Sequence, residues 1–175
     1  MQRVLVVGSP GSGKSMFAKK LSAITGISMV SLDALFWRSG WIPSEDADFG
    51  RRVTEATNAP HWVIKGNYLS HAGMLRRERA DTVIWLDLPR MTCMIGVMIR
   101  TTTSHGRVRP EMSPGCLERF DAEFLHYVWT FRQKQRPQLA RFLEGLRSDQ
   151  RLIRFVRRAD VDRYLHDLSA SESVH

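Results

Sequence analysis

Cysteine is scarce in this sequence, and the two cysteines that occur form no recognisable pattern. Cys93 and Cys116 are too far apart for a C-x-x-C pair, and neither has a metal-ligand spacing. We therefore expect two reduced, bystander thiols, and we expect neither a disulfide framework nor a cysteine-bound metal.

Long hydrophobic runs are also missing. The longest apolar stretch, MTCMIGVMI at 91–99, is far shorter than the roughly 20 residues that span a membrane. The apolar run at the amino terminus is too short for a signal peptide. At 175 residues, 43% hydrophobic and 25% charged, the chain has the composition of one globular domain. These features predict a soluble cytoplasmic protein without membrane contact.

Positive charge is abundant but dispersed. Lys plus Arg number 26 against 18 Asp plus Glu, which gives a net charge of +8, and 21 of the 26 basic residues are arginine. A nucleic-acid-binding arm typically contains a run of five or more basic residues, and no such run occurs here. Because arginine suits phosphate, this balance fits phosphorylated ligands, nucleic acid or a solvated surface.

The octet GSPGSGKS, from Gly8 to Ser15, is the most informative motif. It fits G-x-x-x-x-G-K-[ST] at every fixed position and follows the apolar run 4–7, which is the pattern of a phosphate-binding loop between a strand and a helix. In such a loop Lys14 contacts the β- and γ-phosphates and Ser15 ligates magnesium. We therefore predict ATP and Mg²⁺ as ligands. The predicted nucleotide-binding residues of this segment are Gly8, Pro10, Gly11, Ser12, Gly13, Lys14, Ser15 and Met16.

Short apolar runs alternate with helical patterns, which indicates a parallel sheet covered by helices. The candidate strands are RVLVV, SMVSL, WVIK, TVIWLDL and RLIRFV. Helices are predicted over 14–25, over 44–57 with Ser44 as the cap, from 91 to about 103, from 117 to about 145 with an interruption near Pro137, and over 159–168. The predicted fold class is α/β, a three-layer P-loop NTPase fold with a five-stranded parallel sheet.

The segment TTTSHGRVRPEMSPG, at about 101–115, has no periodicity and contains Gly, Pro, Ser, Thr and two arginines. We interpret it as a lid insertion that becomes ordered when ligand binds. The chain then forms a single domain over 1–168, and the tail 169–175 is predicted to be disordered.

Several strings together resemble one family. The octet is followed by LDALFW, GNY, RADTVIWLDLPR, GRVRPEMSPGCLERFDAEF and RRADVDRYL. In this order and spacing they resemble the DNA topology modulation protein family, a branch of the adenylate-kinase-like P-loop kinases, from Arg3 to Leu168. The resemblance implies an adenylate-kinase-like fold and a small-molecule or nucleotide kinase. The family name implies a role in DNA supercoiling, but the chemistry of the residues favours the kinase.

Asp33 is the first catalytic candidate beyond the octet. It closes the second apolar run, and the carboxyl ends of parallel strands face the ligand crevice. The resemblance implies that it contacts the acceptor, where it would orient or deprotonate a hydroxyl; the alternative is a helix cap. Phe36, Trp37 and Trp41 follow closely, and they either stack on the acceptor or belong to the core.

The residues at the ends of two predicted strands, Asp87 and Lys65, bear on how magnesium would be bound. Asp87 ends TVIWLD as the magnesium-binding carboxylate does in many P-loop enzymes, so Ser15 and Asp87 are the predicted metal ligands. The resembling family has an aspartate where this chain has Lys65, which reverses the charge. Either Asp33 or Asp87 replaces that carboxylate, or Lys65 binds an anionic acceptor and neutralises charge during transfer. Impaired catalysis and a Lys65–Asp33 ion pair are the remaining alternatives.

Mobile arginines complete the predicted catalytic set, because phosphoryl transfer needs positive charge on the migrating group. Arg100 ends a predicted helix, and Arg107 and Arg109 lie in the lid. These three arginines join Lys14 and Asp33 as the catalytic candidates.

The resemblance adds four further positions. Arg157, after the last strand, is predicted to stack on adenine, and Arg76 and Arg90 match the family pattern. For each arginine the alternative is a place on the surface. Gly96 stands where the family often has arginine, which predicts a weaker phosphate clamp.

These features predict a kinase that passes the γ-phosphoryl group of ATP to a small acceptor. A nucleoside or nucleoside monophosphate is the first predicted acceptor, and a sugar or another small hydroxyl compound is the second. The alternative is an ATP-responsive regulatory protein that acts on DNA or a protein partner. A slow hydrolase without an acceptor is a third possibility.

Overall fold

The computed structural model describes residues 1–172. In chain order the elements are β1 (Arg3–Gly8), α1 (Lys14–Thr25), β2 (Met29–Ser31), α2 (Leu32–Phe36), β3 (Trp37–Arg38), β4 (Ile42–Pro43), α3 (Asp46–Asn58), β5 (Trp62–Lys65), α4 (Gly73–Arg79), β6 (Thr82–Leu86), α5 (Arg90–Ser104), α6 (Ala122–Lys134), α7 (Arg136–Glu144), β7 (Arg151–Phe155) and α8 (Arg158–Glu172).

The five longer strands form one sheet in the order β2-β5-β1-β6-β7, and every neighbouring pair is parallel. Each of the five predicted strands is therefore confirmed. Their apolar runs lack alternation because helices cover both faces of the sheet. The short strands β3 and β4 pair separately as an antiparallel hairpin.

Two clusters of buried side chains make the sheet the middle of three layers. Leu5 and Val7 of β1 pack on one face, in a cluster that includes residues of α3, α6 and α7. Val4 and Val6 pack on the other face, in a cluster with residues of α1 and α8. Alternate residues of a strand point to opposite faces, so β1 contributes to both clusters.

The parallel arrangement brings the carboxyl ends of four strands to one edge of the sheet. β1 ends at Gly8, β2 is followed by Asp33, β5 ends at Lys65 and β6 is followed by Asp87. The phosphate-binding loop therefore lies beside the strand-end residues that the sequence identifies as candidates.

Several predicted boundaries are wrong. Ser44 does not cap α3: the helix begins after Glu45 and has no side-chain cap, while the Ser44 hydroxyl donates to Leu35 O and accepts from Arg52. The predicted helix from 117 begins instead at Ala122, where Asp121 caps it. The break near Pro137 is confirmed, because α6 ends at Lys134 and Pro137 lies in the first turn of α7.

The lid and the tail also differ from prediction. Helix α5 continues to Ser104, so the first four residues of the predicted lid are helical and the irregular segment runs over 105–121. We call 105–121 the lid segment. Helix α8 extends to Glu172, so the predicted disordered tail is helical over 169–172. The remainder, 173–175, lies outside the described residues.

Candidate active site

The octet forms a loop that only glycine permits at its tightest points. Gly8 has φ 145° and Gly11 has φ 75°, in the region that disfavours other residues. A Cβ atom on Gly8 would collide with the carbonyl oxygen of Leu86, and one on Gly11 with that of Cys93. The loop therefore lies directly against β6 and α5.

Lys14 begins α1 and directs its side chain back into the loop. Its Nζ donates to Gly8 O at 2.9 Å and to Ser9 O at 2.8 Å. Burial lowers the pKa of Lys14 to about 8; the Asp33 charge opposes this shift, and the Lys65 and Arg100 charges add to it. Within residues 1–172 this partly buried ammonium is hydrogen-bonded only to carbonyls, which suits an incoming anion.

The residues of the loop fit a nucleotide polyphosphate and magnesium. The Ser12 hydroxyl is buried and has no hydrogen-bond partner among the described residues. Ser15 is the residue that would hold magnesium. No cluster of three or more His, Cys, Asp or Glu side chains within residues 1–172 is arranged to hold a metal ion, so phosphate oxygens would supply the other ligands of such an ion.

Asp33 lies in the first turn of α2 and is held by two side chains. Lys65 Nζ donates to Oδ2 at 2.8 Å, and the Tyr68 hydroxyl donates to Oδ1 at 3.1 Å. Burial raises the pKa of Asp33, but the Lys65 charge and hydrogen bond, with Lys14 and Tyr68, bring it below its ordinary value. Ser31, not Asp33, caps α2, so the helix-cap alternative is wrong.

Lys65 is 1% exposed, and within residues 1–172 its only ion-pair partner is Asp33. Of the alternatives that the sequence left open, the ion pair is therefore the one the structure contains. Burial and the Asp33 charge raise the pKa of Tyr68, which keeps its hydroxyl protonated as a donor. Asp33 is thus fixed as a carboxylate.

Asn67 is a site residue that sequence reasoning missed. Its side-chain Oδ1 accepts from Gly8 N at 3.0 Å, and its Nδ2 donates to Gly8 O at 3.0 Å. Asn67 therefore fixes the first peptide of the phosphate-binding loop. The string GNY contains it, but only the adjacency of β5 and β1 shows what the amide binds.

Asp87 is engaged by arginine. Both of its carboxylate oxygens accept from Arg136 at 2.8 Å, and Oδ2 also accepts from Arg154 at 2.6 Å. Asp87 is 7% exposed, so these arginines provide the counter-charge that a buried carboxylate needs. This pairing gives no support to the predicted metal contact of Asp87.

Glu118 binds two of the three arginines predicted to be catalytic. Its carboxylate accepts from Arg100 Nε at 2.9 Å and from the Thr101 hydroxyl at 3.2 Å, and it forms an ion pair with Arg109 Nε at 2.9 Å. Arg109 also donates to Glu111 at 3.3 Å. Glu118 is 4% exposed. The third candidate, Arg107, is exposed and uses its backbone to pair with Glu118. Arg100 and Arg109 therefore meet at one buried carboxylate.

The lid segment is ordered and docked on the residues that follow Asp33. Ser113 Oγ donates to Ala34 O at 2.8 Å, and Trp41 Nε1 donates to Leu117 O at 2.9 Å. At its other side Glu111 forms a 3.0 Å ion pair with Lys19 of α1. The prediction that ligand is needed to order this segment is not supported by these contacts.

The aromatic residues behind Asp33 pack mainly against one another. Phe36 contacts Phe49 and Tyr68 with ring centroids 5.1 and 5.0 Å apart, and it adjoins the core. Trp37 and Trp41 pair edge to face at 5.5 Å. Phe36 is therefore a partly buried residue packed against the core, and the two tryptophans, also partly buried, form a wall beside it.

The structure separates the two arginines after β7. Arg157, the predicted adenine contact, is exposed. The guanidinium of Arg158 lies against Gly13, where an added Cβ atom would collide with it. Arg158 is thus the arginine that contacts the phosphate-binding loop, although Arg157 lies one residue nearer the strand.

Gly96 and the two remaining family positions also have definite places. A Cβ atom on Gly96 would collide with Gly11 O, so an arginine there is incompatible with this packing and Gly96 serves the approach of α5 to the loop. Arg90 covers the Trp129 ring at 4.7 Å. Arg76 is 1% exposed, so a surface place is wrong for it.

The comparisons with known proteins agree with this geometry. A family model described as "ATPase family associated with various cellular activities (AAA)" matches residues 4–87, which include the octet and Asp33. A search of curated proteins gives no match. Within residues 1–172, no helix is long and apolar enough to cross a membrane.

Solved structures match almost the whole chain. Shikimate kinase from Bacteroides thetaiotaomicron is 13% identical over 97% of each chain, with a TM-score of 0.57. Shikimate kinase from Acinetobacter baumannii, in complex with shikimate, is 18% identical over 99% of this chain and 94% of that chain, with a TM-score of 0.57. An unliganded sugar kinase from Janibacter sp. HTCC2649 is 19% identical over 98% of this chain and 91% of that chain, with a TM-score of 0.50.

The chain therefore has the α/β P-loop fold seen in these small-molecule kinases, and the predicted fold class is confirmed. The family match over 4–87 and the fold support the P-loop part of the predicted resemblance, whereas its DNA topology modulation part is not confirmed.

Proposed function

We propose that this P-loop protein is an ATP-dependent kinase that transfers the γ-phosphoryl group to a hydroxyl of a small acceptor. The observation that carries the proposal is that Lys14, bound into the phosphate-binding loop after β1, and Asp33, after β2, lie at the same edge of the sheet. The ammonium at the phosphate-binding loop and the strand-end carboxylate interact electrostatically, each contributing to the pKa of the other. A cation for the phosphates and a carboxylate for the acceptor are the two groups that phosphoryl transfer requires.

In the proposed reaction the acceptor oxygen bonds to the γ-phosphorus while the bond from that phosphorus to the β,γ-bridging oxygen breaks. Asp33 orients the hydroxyl and receives its proton. Because Lys65 and Tyr68 hold Asp33 as a carboxylate of low basicity, we infer that orientation is its larger contribution. Lys14 stabilises the charge on the β- and γ-phosphates.

Arg100 and Arg109 would supply the remaining positive charge. Both now bind Glu118, and triphosphate offers a more highly charged partner at the same edge of the sheet. When bound through Ser15, magnesium supplies further charge neutralisation on the phosphates. Asp87, which is paired with Arg136 and Arg154, is not assigned to magnesium.

The acceptor is proposed to be a small polyhydroxylated molecule. The names of the similar solved structures, shikimate kinase and sugar kinase, favour this class over the nucleoside predicted first.

Asp33→Asn tests the assignment. If Asp33 orients and deprotonates the acceptor, transfer falls by a factor of about 100 or more, while ATP affinity, measured by calorimetry, stays near that of the wild type. Loss of ATP binding in this variant contradicts the acceptor role. Tyr127→Phe, on α6 and in electrostatic range of Asp33, serves as a control for general disturbance of the surroundings of Asp33.

A further inference from the structure

Arg76 is a buried cation without a carboxylate partner among the described residues. It lies in α4, is 1% exposed, and burial lowers its pKa to about 10. Its Nη1 is buried and has no hydrogen-bond partner within residues 1–172. Burying an unpaired charge is costly, so the remaining contacts of this guanidinium must compensate.

Those contacts are backbone carbonyls of a single loop. Arg76 Nη2 donates to Asn67 O at 2.9 Å, to Tyr68 O at 2.6 Å and to His71 O at 3.5 Å, and Nε donates to Ala72 O at 3.4 Å. One side chain thus binds four carbonyls of the segment 67–72, which we call the relay loop.

The relay loop has an unfavourable backbone that needs such support. Tyr68 has φ 35° and Ala72 has φ 51°, both in the left-handed region that residues other than glycine avoid. Their carbonyls are two of the four that Arg76 binds. The guanidinium therefore fixes the loop at the residues where its conformation is least stable.

The same loop contacts both halves of the proposed site. Asn67 binds the N–H and the carbonyl of Gly8, at the start of the phosphate-binding loop. Tyr68 donates to Asp33, the proposed acceptor contact. A displacement of the relay loop would therefore reach the nucleotide side through Asn67 and the acceptor side through Tyr68.

We propose that Arg76 is a positioning residue, which sets the phosphate-binding loop and Asp33 by holding the carbonyls of the relay loop. This inference rests on the proposed function, since it assigns Arg76 to the binding of ATP and acceptor. Arg76 touches neither ligand site itself. It acts through Asn67 and Tyr68.

The test compares Arg76→Lys, Asn67→Ala and the double variant with the wild type. Lysine keeps the charge but cannot bind four carbonyls in one planar arrangement. We expect each single variant to weaken Mg²⁺–ATP binding about tenfold in calorimetry, as for the loss of one or two hydrogen bonds. We expect the double variant to lose no more than this tenfold in Mg²⁺–ATP affinity, because Arg76 acts through Asn67.

A second readout does not depend on ATP. The Gly8 amide donates to Asn67, so its hydrogen exchange, followed by NMR, should become about tenfold faster in Arg76→Lys. Arg79→Lys is the matched control: Arg79 belongs to the same helix but contacts Thr57 and Asn58. It should change neither ATP affinity nor Gly8 exchange.

The outcomes separate this inference from the proposed function. A wild type that does not bind ATP overturns the proposed function, and Gly8 exchange then decides the role of Arg76 alone. Unchanged exchange, or effects of Arg76→Lys and Asn67→Ala that multiply to about a hundredfold, overturns the positioning role. Arg76→Gln, which removes the buried charge, replaces Arg76→Lys if that variant does not fold. Failure of both to fold makes Arg76 structural and also overturns the inference.

Discussion

Lys65 and Asp33 form a 2.8 Å ion pair that joins the carboxyl ends of β5 and β2, with the lysine 1% exposed. The pair lies in electrostatic range of Lys14. It gives the site a carboxylate that is charged and fixed before any acceptor arrives. The positive charge of Lys65 therefore supplies a partner for Asp33. A lysine at this position does not by itself imply loss of function.

Lys65→Met should move the acid limb of kcat/KM for transfer to higher pH. The ion pair lowers the pKa of Asp33, so Asp33 stays charged, and transfer persists, until the pH falls below its ordinary range. Removing Lys65 leaves the burial that raises this pKa, and we expect a shift of about one pH unit or more. Lys134→Met, an exposed lysine on α6, is the control. An unchanged acid limb would show that Lys65 does not govern Asp33.

ATP affinity should decline as the pH rises through about 8. Burial lowers the pKa of Lys14 to about 8, so its charge is fully present below that pH and is lost above it. Calorimetric titrations between about pH 7 and 9.5 measure the effect, since the ordinary lysine pKa of about 10.4 predicts little change there. Lys14→Arg keeps its charge throughout and should flatten the profile. A constant wild-type affinity over this range contradicts the assignment.

Glu118→Gln should strengthen ATP binding while it lowers thermal stability. The variant keeps the size of the side chain but no longer neutralises Arg100 and Arg109. Arg100 is then free for phosphate and Arg109 keeps only its 3.3 Å ion pair with Glu111, so ATP binding should tighten about fivefold, which corresponds to about 1 kcal/mol. The exposed Glu123 of α6 gives the control Glu123→Gln. Weaker binding in Glu118→Gln would mean that the carboxylate orients the arginines for phosphate.

Gly96→Ala should damage the phosphate-binding loop. Its Cβ atom would collide with Gly11 O, so we expect a loss of about 1–3 kcal/mol in the free energy of unfolding and weaker ATP binding. Gly50→Ala is the matched control, because Gly50 is also helical and no atom lies within 4 Å of its added Cβ atom. Gly50→Ala should raise the free energy of unfolding by about 0.5–1 kcal/mol. Denaturant unfolding measures both, and equal effects contradict the close packing.

Local patterns were sufficient to predict the sheet and the phosphate-binding loop. The five apolar runs and the octet are each specified by neighbouring residues, and parallel strands have one edge at which Gly8, Asp33 and Lys65 must meet. The Lys65–Asp33 pair was therefore among the alternatives. Its selection over the others required the distance between the two side chains.

The rest of the site depends on contacts between distant segments. Asn67 and Arg158 contact residues far away in sequence, Gly8 and Gly13, and no spacing rule predicts those partners. Ser44 was assigned as a cap from a local rule, but Leu35 and Arg52 compete for its hydroxyl. In the sequence Asp87 has the position of a metal ligand, but in the structure Arg136 of α7 and Arg154 of β7 form ion pairs with it.

The most direct test of the kinase assignment is ADP release from ATP and Mg²⁺ with a panel of acceptors. The panel contains small sugars, cyclic polyols such as shikimate, nucleosides and nucleoside monophosphates, and Lys14→Ala provides the blank. We predict that one polyhydroxylated acceptor stimulates ADP release, with a phosphorylated product, and that Lys14→Ala abolishes both. Tight ATP binding without stimulation by any acceptor would contradict the assignment and favour an ATP-responsive regulatory protein.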